Sequence, residues 1–266
     1  MTRQNGYTVL PYPRIRRLVL DAGWMARRRH MIHGLLEVDV TRARQIIRDH
    51  KSRTGEGLSF TAFVLACLGQ AVEQDKRVHA CRNWRNQLIV FDDVDVMLSI
   101  EIDVGGEKFP LVHPVRAVNR RTVRSIHDEI RAIRADPAHS AAARGMLMRW
   151  FYLLPGIVRH AFYRFALRSP RQWKQYAGTV GFTSVGMFGR GSGWGLGMPN
   201  HTLAVTAGGI AEKPAVMAGR IEAREFLSLT MSFDHDIVDG APAARFARRF
   251  TELLEQGWGL EAAKDR

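Results

Sequence analysis

Lysine and cysteine are both scarce in this chain, and it has no long apolar run. The two cysteines, Cys67 and Cys81, stand 14 residues apart with no Cys-x-x-Cys between them. That excludes a disulfide framework, and the usage fits a reducing cytoplasm. Cys67 falls in an apolar helical pattern and reads as a core residue. No stretch of 18 apolar residues is present, so no membrane span is expected. The N-terminal residues, with Arg3 and an early Pro11-Tyr12-Pro13, lack the apolar centre of a signal peptide. No cluster of His, Cys, Asp and Glu has metal-ligand spacing, so no metal is expected.

Positive charge, by contrast, is abundant. The 266 residues carry a net charge of +13, and only six of the 39 basic residues are lysine. A field of that sign attracts polyanions: nucleic acid, an anionic membrane, or a phosphorylated cofactor such as coenzyme A. Genomic base composition explains an arginine bias equally well. No ribonucleoprotein motif, helix-turn-helix pattern or zinc spacing accompanies the charge, which argues against nucleic acid. Hydrophobic residues at 46% and charged residues at 24% are ordinary for a globular protein.

Periodicity mixes strands and helices along the chain. Gly34 to Val40 reads as a strand, and Thr41 as the N-cap of a helix over Arg42 to His50, followed by a polar loop from Lys51 to Gly57. Ser59 opens a long apolar helix, Phe60 to Gln74, with Phe63, Val64, Cys67, Leu68 and Ala71 at helical spacing. Strands are predicted at Leu88 to Val90, at Asp95 to Val104 before a Gly105-Gly106 turn, and at Phe109 to Val118. A helix follows from Thr122 to Ile133. Later strands are predicted at Gly178 to Ser184, Leu203 to Ala207 and Glu225 to Phe233, and Pro242 to Gln256 closes as an amphipathic helix. This order predicts a layered α/β domain with a mixed sheet.

The most informative stretch is Thr230-Met231-Ser232-Phe233-Asp234-His235-Asp236-Ile237-Val238-Asp239-Gly240. It puts a histidine at the end of an alternating run, with an aspartate four residues on and a glycine directly after. Histidine is the side chain whose unperturbed pKa suits proton transfer near neutral pH. His-x-x-x-Asp-Gly resembles the motif of the chloramphenicol acetyltransferase-like superfamily. The longer string through Ala244-Arg245-Phe246 is similar to the catalytic domain of the 2-oxo acid dehydrogenase acyltransferases. Glu37 to Thr41, Leu58 to Ala62, Phe109 to Arg116, Gly178 to Gly189 and Glu212-Lys213-Pro214 also resemble that family, so the likeness covers most of residues 14 to 256.

The resemblance implies a two-layer mixed sheet with helices, working as a homotrimer or a higher multiple of three. It implies one catalytic domain over residues 1–266 that moves an acyl group between coenzyme A, or another thioester carrier, and a thiol, hydroxyl or amine acceptor. Coenzyme A or acyl-CoA is then a substrate, and a lipoyl group on a separate carrier protein is an expected partner. His235 becomes the general base, with its other ring nitrogen held by backbone. Thr183, 52 residues earlier, becomes the hydroxyl that stabilises the oxyanion, with Ser184 as the adjacent alternative. One residue along a strand reverses the side-chain direction, so only one of the two can serve. Asp239 takes a supporting role, paired with an arginine from the N-terminal part, Arg16 or Arg17. Gly240 lets the backbone turn into the closing helix through positive φ or close packing. His235 of one subunit would face Thr183 of the next.

Three departures qualify the likeness. The chain shows no lipoyl domain, subunit-binding domain or Ala-Pro linker, and so reads as a stand-alone catalytic domain. Asp236 follows the histidine where the complex enzymes carry arginine. Residues 138–176 are an insertion, aromatic and basic around Trp150 to Arg164 and broken by Pro155-Gly156. That insertion reads as a packed helical pair; the sharper alternatives are a basic amphipathic segment on an anionic membrane through 150–167, or a lid over an acyl chain. Gly189 to Gly197 lacks a Walker lysine and reads as structural. A non-catalytic trimeric scaffold of the same fold is the competing function, and the intact histidine argues against it. A carrier-protein condensation enzyme is a second rival, weakened because Asp234 rather than a second histidine precedes His235.

Overall fold

A computed structural model of the protein describes residues 2–4, 6–104, 107–136, 140, 151, 153–186 and 191–261. A small hairpin, β1 (Thr2–Gln4) with β2 (Tyr7–Val9), precedes helix α1 (Arg17–Ala26). Then come β3 (Met31–Asp39), α2 (Thr41–Thr54), α3 (Phe60–Gln74) and a second small hairpin, β4 (Cys81–Arg82) with β5 (Leu88–Ile89). Next are β6 (Val96–Val104), β7 (Glu107–Val115) and α4 (Val123–Ala135). The pair α5 (Gly156–Arg168) and α6 (Pro170–Ala177) leads into β8 (Val180–Ser184), β9 (Leu203–Met217), β10 (Arg220–Asp234) and α7 (Gly240–Gln256).

Six strands form one mixed sheet in the order β3-β10-β9-β8-β6-β7. Only the β6–β8 and β8–β9 pairings are parallel. The expected α/β architecture with a mixed sheet is therefore present.

The sequence of β10 explains how the sheet serves two layers. Leu227, Leu229, Met231 and Phe233 alternate with Ser228, Thr230, Ser232 and Asp234, and all eight are buried. The apolar set faces helices, Phe233 meeting Phe246 of α7 edge-on at 5.7 Å. The hydroxyl set lies on the opposite face, where Ser228 accepts a hydrogen bond from the amide of Gly193 at 3.1 Å. The glycine-rich strap thus lies flat on the sheet. A Cβ on Gly208 or Gly209 would come within 2.0 Å of the carbonyl oxygens of Gly193 and Gly191, so glycine is what permits this approach. Residues 191–197 have the structural role expected of the run; Gly189 and Arg190 lie outside the described residues.

Helix α3 begins where Ser59 accepts a hydrogen bond from the Ala62 amide, as its capping residue predicts. Every residue from Ala62 to Gly69 is buried, Cys67 among them, so α3 is the core helix. Burying Phe63, Leu65 and Leu68 contributes about 1.5–3 kcal/mol each relative to exposure.

The boundaries of α2 correct the sequence reading. Asp39, not Thr41, closes its start: Asp39 Oδ1 accepts from the Thr41 amide at 2.9 Å and its hydroxyl at 2.6 Å. The helix runs on through Lys51 to Thr54 and stops at Gly55, whose φ of 75° only glycine adopts freely. Polar composition had suggested a loop there, but Lys51 to Thr54 are simply the exposed last turn. Gly105-Gly106 lie outside the described residues.

Within 138–176, residues 138–139, 141–150 and 152 lie outside the described residues, Trp150 and Tyr152 included. Most of the remainder forms α5 and α6. Arg159 of α5 donates to both carboxylate oxygens of the buried Asp21 of α1, at 2.7 and 3.0 Å, while His160 stacks on Trp24 at 4.4 Å. A buried guanidinium and carboxylate paired in this bidentate way hold α5 to α1. Among the described residues no helix is long and apolar enough to cross a membrane, and no His, Cys, Asp and Glu cluster could hold a metal ion.

Two buried histidines brace the ends of strands. His201 Nε2 donates to the Ala177 carbonyl at 2.8 Å, and His79 Nδ1 accepts from the Thr179 hydroxyl at 2.9 Å. Burial pushes each imidazole down to about 4. Both are therefore neutral in the fold at pH 5, whereas the unfolded chain protonates them near 6.5. Stability should be full above pH 6.5 and fall as pH drops from 6.5 to 4, by up to on the order of 3 kcal/mol per histidine. Urea midpoints across that window check this, and His201→Asn should flatten the slope. A second expectation concerns Gly69, where an added Cβ would sit 2.6 Å from the Asn119 amide nitrogen. Gly69→Ala improves helix propensity yet should lower the melting temperature, at a cost of about 1–3 kcal/mol from overpacking.

Candidate active site

His235 occupies the first position after β10, and its place is set by register. Met31 pairs with Asp234, so the chain before β3 runs beside the turn that follows β10. The His235 amide donates to the His30 carbonyl at 2.8 Å, continuing the ladder by one bond. The same register brings Arg29 alongside Asp234, where its guanidinium donates to Oδ2 at 2.6 Å. Asp234 is 4% exposed, and its other oxygen accepts from the Asp236 amide at 3.3 Å. The Asp234 carbonyl accepts from Ile237 and Val238 at 3.0 and 2.9 Å. A buried carboxylate thus fixes the turn, leaving the His235 side chain 48% exposed.

The second carboxylate beside His235 is engaged as well. Asp236 accepts from His30 Nδ1 at 2.9 Å and lies 3.8 Å from Arg82. The His30 hydrogen bond, foremost, holds its carboxyl below the usual range. The aspartate after the histidine is therefore held by an imidazole hydrogen bond, with the Arg82 guanidinium close by.

Asp239 stands at the N-cap of α7 without making a cap hydrogen bond, its side chain 82% exposed. Its Oδ1 is 4.0 Å from His235 Nδ1, too far for a hydrogen bond. Among the described residues neither Arg16 nor Arg17 pairs with Asp239. Arg16 ends a single 3-10 turn, Arg17 opens α1, and the cation that reaches the loop is Arg29. Nor does any described backbone group hold the His235 ring. Gly240 is corrected too: it has no positive φ, and a Cβ there would meet nothing within 4 Å, because it sits in the open first turn of α7.

Thr183 lies half-buried on β8, opposite Thr206 of β9, which in turn pairs with Thr230 of β10. Ser184 points the other way, lining a cleft of ≈ 220 Å³ with Phe60 and Val64 of α3. Alternation thus separates the two candidate hydroxyls onto opposite faces. Within one chain Thr183 and His235 do not meet. They are two strands apart, about 10 Å, and five residues apart along the strand direction, roughly 16 Å.

A cleft of ≈ 240 Å³ opens beside the His235 turn, lined by Arg28, Arg29, Cys81, Arg82, Trp173 and Asn200 among others. Burial pushes the Cys81 thiol up, so it is not poised as a nucleophile. Sequence reading missed Arg29, His30 and Arg82. Arg29 and His30 belong to the basic run Arg27 to His30, but their relevance depends on a strand pairing more than 200 residues away in sequence.

The profile of the family described as 2-oxoacid dehydrogenases acyltransferase (catalytic domain) matches residues 171–261. Over these residues the chain is similar to that family. The lipoamide acyltransferase component of the branched-chain alpha-keto acid dehydrogenase complex of Bacillus subtilis is 23% identical over 226 residues, 83% of this chain and 46% of that protein. The chain therefore spans less than half the length of this relative. The dihydrolipoamide acetyltransferase of Azotobacter vinelandii superposes with a TM-score of 0.70 at 14% identity, covering 96% of this chain and 94% of that one. Its serine, histidine and asparagine have been investigated for their role in the catalytic mechanism. A chloramphenicol acetyltransferase superposes at 0.52 with 14% identity, over 88% and 94% of the two chains. These structures share the acyltransferase fold, and the expected chloramphenicol acetyltransferase-like architecture is what the chain adopts.

In this chain the Arg29–Asp234 pair fixes the histidine turn. Arg29→Ala leaves a buried carboxylate unpaired and should cost about 3 kcal/mol, read as a shift in the denaturant midpoint. Arg29→Lys should recover part of that loss, and Asp234→Asn should approach the full loss.

Proposed function

We propose that this protein transfers an acyl group between coenzyme A, or another thioester carrier, and a thiol, hydroxyl or amine acceptor. The observation that carries the reading is the state of His235. Its imidazole is half in solvent on a turn fixed from both sides, and both flanking carboxylates have partners in this chain. An accessible imidazole on a fixed turn suits a general base. The order and intervals of Thr183, His235 and Asp239 also repeat those of the serine, histidine and asparagine of the Azotobacter vinelandii enzyme.

In the proposed reaction His235 takes the acceptor's proton as the acceptor attacks the thioester carbonyl. The Thr183 hydroxyl donates to the oxyanion of the tetrahedral intermediate. Collapse of that intermediate expels the thiolate, which recovers the proton from His235, so charge and protons balance. Asp239 supports the loop and carries no proton. Because Thr183 and His235 are far apart in one chain, the hydroxyl must come from a neighbouring copy. A homotrimer, or a higher multiple of three, supplies that geometry.

The acyl donor is coenzyme A or a lipoyl group carried on a separate protein, and the two free cysteines fit work in a reducing cytoplasm. Outward apolar side chains on α5 (Ile157 and Phe165, 85% and 64% exposed) support peripheral contact of the 150–167 segment with a membrane. A purely scaffolding role is the second reading, and it assigns nothing to an exposed His235.

The test is thiol release from acetyl-CoA and longer acyl-CoAs with a panel of acceptors including dihydrolipoamide. His235→Ala should cut acceptor-dependent release by about 10²–10⁴-fold. Thr183→Val should lower kcat by about 10²–10³-fold, and Thr183→Ser should restore most of it. Equal release by wild type and His235→Ala with every pair would favour the scaffold. Sedimentation of wild type as a monomer would remove the shared site.

A further inference from the structure

A second cleft, of ≈ 310 Å³, adjoins the one beside His235 and shares Arg28, Arg82 and Leu167 with it. Its charged lining consists of four arginines, Arg28, Arg82, Arg164 and Arg168, with no carboxylate. They arrive from three separate elements. Arg28 follows α1, Arg82 ends β4, and Arg164 and Arg168 stand one turn apart on α5. The α5 pair therefore points along one edge of its helix.

Little compensates this charge. Among the described residues Arg164 and Arg168 make no ion pair. Arg28 lies over the Trp24 ring at 3.9 Å, and Arg82 approaches Asp236 only to 3.8 Å. The sequence supplies no counter-charge locally either, since no Asp or Glu occurs from residue 137 to 211. Guanidinium groups gathered round one opening repel each other unless an anion joins them. The adjoining cleft adds a second observation. Trp173 Nε1 and Asn200 Oδ1, which line it, are buried with no hydrogen-bond partner. A buried donor and acceptor without partners are costly unless a ligand or water meets them.

We propose that Arg28, Arg82, Arg164 and Arg168 form a phosphate-binding site adjoining the cleft beside the His235 turn. A phosphate group presents several acceptor oxygens and up to two charges, which matches several guanidinium forks better than a single carboxylate does. Trp84, 68% exposed on the same rim, offers a flat apolar surface for whatever carries the phosphate. Half of the site comes from α5, which precedes the segment matched by the family. The phosphate has two sources to distinguish, a soluble phosphate ester and a lipid headgroup. The outward apolar residues of α5 make the second concrete. The site stands without the acyl-transfer reading, because binding is measured without turnover.

The experiment uses the full chain with two probes at about 0.05 M salt, where exposed charges are least screened. Inorganic pyrophosphate is titrated by calorimetry, and vesicles of phosphatidylglycerol in phosphatidylcholine are compared with phosphatidylcholine alone by flotation. The site variant is Arg164→Glu/Arg168→Glu, both residues being exposed. The control, Arg220→Glu/Arg245→Glu, removes the same charge from exposed positions elsewhere. Thermal melts of both verify the fold. At least one probe should bind wild type, weaken by about tenfold or more in the site variant, and change by less than about twofold in the control. Pyrophosphate binding alone identifies a soluble ester, and selective flotation with phosphatidylglycerol identifies a headgroup. No binding of either probe, or equal weakening by site variant and control, overturns the proposal. His235→Ala should keep the binding, so failure of acyl transfer and failure of this site remain separate results.

Discussion

The ion pair between Arg29 and Asp234 is the interaction on which the arrangement of this molecule turns. It joins the residues just before the edge strand β3 to the last residue of β10, at the point where the sheet gives way to the histidine turn. Asp234 would be an expensive group to bury alone. Paired with Arg29 and bonded to the turn amide that follows, it becomes the anchor for His235, Asp236 and the start of α7. One strand register thus determines where the imidazole sits and which cations reach the neighbouring carboxylates. A one-residue slip of β3 would reverse its side-chain faces and detach Arg29 from Asp234 together.

The second constraint is the two-faced sheet. Apolar residues of β10 and β8 meet the helices, while their hydroxyl neighbours meet a glycine strap. This separation puts Thr183 and Ser184 on opposite faces. Ser184 lines a cleft against α3, whereas Thr183 shares the hydroxyl row with Thr206 and Thr230. The strap sits close because Gly208 and Gly209 carry no side chain. A sequence that looks like flexible linker is therefore held by geometry.

What could be read in advance follows the range of the forces involved. Ser59 as a cap, α3 as a buried helix and the alternation of β6 are local signals, and each appears where its residues place it. The signals failed where local rules compete with pairing. β9 was expected to end at Ala207, yet it runs to Met217. Beyond Glu212 the β9–β10 ribbon is largely exposed, and its ladder bonds, not apolar alternation, define it. Helix α1 went unread because it offers no capping side chain. His235 was legible from its motif, but its supports Arg29 and His30 were not, since nothing near them in sequence names Asp234 or Asp236. The role given to Gly240 shows the opposite error, in which a motif residue was assigned a backbone task that its open helical turn does not require.

An isolated subunit also leaves its chemistry and its surface incomplete in related ways. The hydroxyl that would face the intermediate and the base that would start the reaction belong to opposite ends of the Thr183–Thr206–Thr230 row and the β10 strand. No side-chain motion spans a gap on the order of 20 Å, because the sheet between them is a rigid, fully paired ladder. Meanwhile Tyr7, Val9, Leu10, Tyr12 and Leu20 stand about half exposed or more along the N-terminal segment. Five large apolar groups in one short stretch exceed the scattered exposure normal for a monomer. The proposed assembly answers the first of these, by bringing a second chain to the base. The histidine can then be half in solvent in the single chain and still work in a shielded site.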